Sequence, residues 1–156
     1  MHQKAPGPAT APTIVYTPVA DGDLEALADL RAAAMRDSLE RVGRYDPERA
    51  RQRLRDGWAP AHTWSIEVED SRAGFYTLRP VDGGLKLDHL YILPAMQNLG
   101  LGSRVMQRIA AQADAAGLAV SLGALRDSPS NAFYQRHGYV KTGEDPWDIY
   151  YVRSAR

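Results

Sequence analysis

The 156-residue chain predicts a mixed α/β (α+β) domain of about seven strands and about four helices, in the order β-α-α-β-β-β-α-β-α-β-β. Three observations carry this. The length suits one domain and is short for two. Apolar residues make up 44% of the chain, enough to bury a core. Runs of strand-like alternation are interleaved with runs of helical spacing, each closed by Gly, Pro or Asp.

The elements follow in order. Residues 1–12, MHQKAPGPATAP, carry three prolines and no apolar core of a signal peptide. They read as a flexible leader ahead of one folded domain over residues 13–156. TIVYTP (Thr13 to Pro18) is a short β run. Leu24, Leu27, Ala28, Ala34, Met35 and Leu39 recur at roughly helical spacing, with Asp21 or Asp23 as cap. A loop precedes a second helix, for which Asp46 is a good N-cap and Pro47 a good first residue. HTWSIEVED and RAGFYTLRP are strand-like, with a tight turn near Asp70–Ser71. LKLDHLYIL is a third long strand, closed by Pro94. The next helix turns Gly102, Val105, Met106, Ile109, Ala110 and Ala113 to one face and ends at Gly117. LAVSLGAL is a compact strand. Ser128 and Pro129 open a last helix, which Gly138 ends. Two final strands flank a Gly-Glu-Asp-Pro turn.

Composition excludes several functions. With 19 basic and 19 acidic residues there is no electrostatic case for nucleic acid or an anionic membrane surface. The absence of cysteine removes disulfides, thiolate metal sites and a cysteine nucleophile, and fits a cytoplasmic location. No apolar run approaches membrane-spanning length. No metal is expected.

The most informative stretch is Gln97-Asn98-Leu99-Gly100-Leu101-Gly102, which runs from a strand into a helix. It is not a P-loop, because Ser103 follows Gly102 with no lysine, and not a dinucleotide fingerprint, because Val105 stands where a third glycine belongs. It fits Gln/Arg-x-x-Gly-x-Gly. Amides at a helix start lack partners and lie at the positive end of the dipole, so an anion gains hydrogen bonds and field together. Glycines let a pyrophosphate touch the backbone. The same glycines would also serve plain strand–helix packing.

Taken together, the strand LDHLYILP, the loop QNLGLG and the block SNAFYQRHGYV resemble the GNAT superfamily of acyl-CoA-dependent N-acyltransferases, from about Thr13 to the end of the chain. The resemblance implies a central, mostly antiparallel sheet whose strands splay at the cofactor. It implies acetyl-CoA as co-substrate, with its pyrophosphate on the loop from Gln97 to Ser103 and its pantetheine amides paired to Leu90 and Ile92. Asn131 is implied to tie the cofactor arm. Tyr134, on the same helical face as Asn131, is implied to protonate the leaving thiolate. Dimers are frequent among such proteins.

The base is less clear. Alternation along LKLDHLYIL puts Lys86, Asp88 and Leu90 on one face and Leu87, His89 and Tyr91 on the other. The resemblance turns the first set to the acceptor, so Asp88 is the candidate base, acting directly or through water; a structural Asp88 bonded to arginine is the other reading. His89 has the better intrinsic pKa but is expected to point away. His137 reads as structural. Between Arg36 and Arg55 lie seven arginines and four acids. Arg44 and Tyr45 in that loop are candidates for a carboxylate or aromatic part of the acceptor, and the bland reading is a solvated helical face. Trp147 is a further substrate-binding candidate. The expected activity is acetyl transfer to a primary amine of a small molecule or peptide. The alternative is a non-catalytic acyl-CoA sensor or docking domain.

Overall fold

Seven strands pair into one sheet in a computed structural model that describes residues 12–156. They are β1 (Ile14–Pro18), β2 (Thr63–Val68), β3 (Ser71–Val81), β4 (Gly84–Ile92), β5 (Ala119–Leu125), β6 (Val140–Glu144) and β7 (Asp148–Arg153). The sheet order is β1-β2-β3-β4-β5-β7-β6, and only the β4–β5 pair is parallel. Apart from Pro12, the expected leader lies outside the described residues.

Four helices cover the two faces: α1 (Leu24–Arg41), α2 (Pro47–Asp56), α3 (Leu101–Ala116) and α4 (Ser130–Arg136). Leu27, Leu30 and Leu54 of α1 and α2 pack on Phe75 of β3. Val105, Met106 and Ile109 of α3, with Tyr134 of α4, pack on Tyr76, Leu78 and Leu87. Asp46 caps α2 as expected, accepting from the Arg49 amide at 3.2 Å. Asp23 differs from expectation. It closes a short 3₁₀ turn by accepting from the Ala20 amide at 2.8 Å and gives α1 no side-chain cap. Ser128 likewise stands one residue ahead of the N-cap position of α4, which Pro129 occupies.

Strands β4 and β5 pair only through Gly84–Ala119, Leu85–Val120 and Lys86–Ser121. Gly84 permits this approach, since a Cβ there would lie 2.7 Å from the Ala119 carbonyl oxygen. Beyond Lys86, β4 follows β3 out to Ile92 while β5 follows β7, so the strands part. The Leu93 amide donates to the Ala73 carbonyl at 2.8 Å, toward β3. By alternation, the backbone groups of Ile92 and Leu90 face the gap.

A β-bulge corrects the alternation expected of β4. Thr77 pairs with His89 and Leu78 with Leu87, which leaves Asp88 as the extra residue. One inserted residue reverses the faces beyond it. Leu85 and Leu87 lie in the core under α3, and Leu90 and Ile92 pack against that same core. Tyr91 packs on the α1 side, and His89 lies beside it and Phe75. Leu90 therefore does not share a face with Asp88. His89 does not share a face with Leu87, and it lines the same cavity as Asp88.

Candidate active site

The gap between the splayed strands widens into a cavity of about 1110 Å³, walled by α1 and α2 on one side and by β4, β5 and β7 on the others. Lys86, Asp88, His89, Leu90, Tyr91 and Tyr134 all line it.

Gly100 is the N-cap of α3 in the left-handed region (φ 75°), and Asn98 shares that conformation (φ 66°). The Arg104 amide reaches the Gly100 carbonyl at 3.2 Å, the first bond of the helical ladder. The amides ahead of it have no intrahelical acceptor, and Gly100 offers no side-chain cap. The two glycines have different reasons. A Cβ on Gly100 would meet open space. One on Gly102 would meet the Phe133 ring at 3.2 Å. Packing against Phe133 by itself disfavours a side chain at Gly102. Leu101 turns its side chain into the core beside Val68 and Ala73, while Leu99 is exposed. The Gln97 side chain donates to the Ile92 carbonyl at 3.0 Å, covering one of the outward groups of β4. The Ser103 hydroxyl is bonded to His137 Nε2 at 3.1 Å, which ties α4 to the first turn of α3. This gives His137 the structural role expected of it. Burial and Arg136 lower its pKa.

Tyr134 is buried in α4 between Phe133 and Tyr139, with ring centroids at 5.3 and 5.9 Å. Burial, reinforced by Tyr91 and Tyr139, raises its phenol well above the ordinary range. Asn131 is committed within the protein. Its Nδ2 donates to the carbonyls of Leu125 at 2.9 Å and Ser128 at 3.0 Å, and its Oδ1 accepts from the Tyr151 hydroxyl at 2.8 Å. These bonds tie α4 to β5 and β7.

Asp88 accepts from Arg79 Nε, and Lys86 Nζ stands 3.9 Å away. His89 Nδ1 lies 3.3 Å from the Tyr91 hydroxyl. Burial and the neighbouring Arg31 push the His89 imidazole down to about 4, so it is neutral at pH 7. Arg44 and Trp147 line the mouth of the cavity, but Tyr45 is not among its lining residues and lies beside Arg36 instead. Asp148 also lines the cavity, and its carboxyl is raised by burial and by Asp145.

Arg31 is a site residue that the sequence reading misses. It is 6% exposed and lines the cavity. Its signal is present all the same: it stands four residues after Leu27 and three after Ala28, on the apolar stripe of α1.

Comparison with known proteins decides the family. A family model described as acetyltransferase (GNAT) domain matches residues 59–141, which run from ahead of β2 to the start of β6 and include the loop and the cavity strands β4 and β5. The chain belongs to the GNAT acetyltransferase family. The GNAT fold extends over nearly the whole chain. PaiA N-acetyltransferase from Thermoplasma acidophilum, solved in complex with coenzyme A, superposes with a TM-score of 0.76 at 15% identity, covering 91% of this chain and 99% of that one. An acetyltransferase from Thermus thermophilus gives 0.73 at 20% identity, covering 92% and 98%. The ribosomal-protein-S18-alanine N-acetyltransferase from Escherichia coli gives 0.69 at 13% identity, covering 91% and 94%. No curated protein sequence is significantly similar. Among the described residues of this GNAT domain no cluster of side chains could hold a metal, and no helix is long and apolar enough to cross a membrane.

Proposed function

We propose that this acetyltransferase moves an acetyl group from acetyl-CoA to a primary amine of a small molecule or peptide, by direct attack in a ternary complex. One arrangement carries the proposal. The unpaired edge of β4 beyond Lys86 leads to the open amides at the head of α3, and Tyr134 and Asp88 line the same cavity. A pantetheine arm would pair with Leu90 and Ile92 as a surrogate strand, and a pyrophosphate would take the amides of Asn98 to Gly102. Gln97 would release the Ile92 carbonyl.

The thioester carbonyl supplies the electrophile. The amine nitrogen forms a C–N bond as the C–S bond breaks. Holding the two reactants together supplies much of the rate. The ammonium proton leaves through water to Asp88, and the departing thiolate takes a proton from Tyr134. The raised pKa keeps that phenol protonated at any ordinary pH.

The test measures thiol release from acetyl-CoA across a panel of primary amines, beside a titration of acetyl-CoA without amine. Saturable, amine-dependent release supports the proposal. Tight acetyl-CoA binding with no amine-dependent release across the panel favours the non-catalytic sensor.

A further inference from the structure

Arginine exceeds acid on the α1–α2 wall of the cavity, and one of these arginines is buried without an ion-pair partner among the described residues. Arg31 donates from Nε to the Tyr91 hydroxyl at 3.1 Å and from Nη1 to the Ala50 carbonyl at 2.7 Å, both neutral acceptors. Among the described residues it makes no ion pair. Burying a guanidinium in this way is costly unless an anion joins it. Its remaining N–H groups belong to a rigid fork that suits a carboxylate.

Arg53 and Arg44 line the same cavity, also without an ion pair among the described residues. The acids of the cavity do not answer them. Asp88 is taken by Arg79, Asp46 caps α2, and Asp145 is held by the Tyr150 hydroxyl and the amides of Trp147 and Asp148. Asp148 feels Arg53, Arg44 and Arg31 without pairing to any of them. Other arginines of α2 are matched on the outside: Arg51 with Asp29 at 2.8 Å and Arg55 with Glu25 at 2.8 Å. Within α2 the arginines without an ion pair, Arg49 and Arg53, are the ones that face the cavity.

We infer that the acceptor is an amine that carries a carboxylate, such as a free amino acid or a short peptide, and that Arg31 and Arg53 hold that carboxylate. This rests on the acetyl-transfer reading above. The Arg31 fork takes the carboxylate in the buried part of the cavity, and Arg53 closes over it from α2. The reacting amine is then directed toward Asp88 and Tyr134 on the opposite wall. An amine without an anion leaves Arg31 buried and unanswered, so it is discriminated against.

The test separates acceptor recognition from catalysis. CoA-loaded protein is titrated calorimetrically with N-acetyl amino acids, N-acetyl dipeptides and their primary carboxamides. The expected result is at least tenfold tighter binding of the carboxylates, falling to the level of the carboxamides in Arg53→Gln. Because Arg53 is on the surface, that variant stays folded even where Arg31→Gln does not. Single amino acids against dipeptides tells a free amino acid from a peptide C-terminus. Equal binding of carboxylates and carboxamides, no binding of either, or an Arg53→Gln variant that keeps the preference overturns the inference. Thiol release from the matching free amines is measured separately. Release that favours the carboxamides overturns this inference and leaves acetyl transfer standing. Carboxylate-selective binding without release overturns acetyl transfer and leaves the site.

Discussion

The Arg44 guanidinium lies over the indole of Trp147, 3.7 Å from its Cζ to the ring centroid. The contact joins the loop after α1 to the turn before β7, and so bridges the mouth of the cavity. Neither residue hints at the other in the sequence, because more than a hundred positions separate them.

Trp147 is half-exposed, so removing the contact is expected to cost little stability, about 0.5–1 kcal/mol. Trp147→Ala should instead loosen the α1–α2 loop. Amide exchange from Val42 to Asp46 should rise while β5 stays protected, and KM for the acceptor should change more than KM for acetyl-CoA. Unchanged exchange in that loop would show that the stack is not what orders it.

The two glycines of the loop should fail in different ways. Gly100→Ala keeps a positive φ with room for its methyl group. It should cost about 1–2 kcal/mol of strain and, with the pyrophosphate site proposed above, weaken CoA binding. Gly102→Ala drives its Cβ against Phe133 and should lower the melting temperature more than it weakens binding. Thermal melts beside CoA titrations compare the two, and identical behaviour would remove the distinction.

His89 should make the fold sensitive to acid. Its pKa is about 4 in the native state against 6.5 as the ordinary value, chiefly through burial. The unfolded chain therefore takes up the proton first, and stability is lost as pH falls from 6.5 through 4. Between neutral pH and about pH 4.5 the loss from this one group is about 2 kcal/mol. Urea unfolding of His89→Gln and wild type at both pH values should show a smaller acid loss in the variant. Equal losses would mean that His89 is protonated as readily in the native state as in the unfolded one.

Tyr134→Phe removes one oxygen from a packed ring and should preserve the fold and CoA affinity. Turnover should drop by roughly 10²–10⁴-fold. Because burial holds the phenol above its ordinary range, the wild-type pH–rate profile should show no basic limb from Tyr134 below about pH 10. Full turnover in the variant would refute the proton-donor role.

Asn131→Ala should behave as a structural change. It leaves the Tyr151 hydroxyl without its partner, while the Leu125 carbonyl keeps the Ser128 amide, at an expected cost of about 1–3 kcal/mol. Loss of CoA affinity in a variant of unchanged stability would instead assign Asn131 the cofactor role.

Much of this protein was determined by residues close together in the chain. The cap at Asp46, the glycines before α3, and the periods of strand and helix depend on neighbours a few positions apart, so their patterns appear in the sequence directly. The faces of β4 before the bulge were legible for the same reason. What lies beyond was decided by pairing between distant segments. The bulge at Asp88 exists only because β3 and β4 pair with one residue to spare, and that single residue moved His89 into the site and Leu90 out of its expected face. The commitment of Asn131 required β7 to arrive beside α4, and the pairing of Arg79 with Asp88 required β3 to lie beside β4. Arg31 became a buried cation without a counterion only when α1 settled on the sheet and α2 closed over it. Local pattern sets which elements form, whereas register and side-chain partners are set by which elements meet.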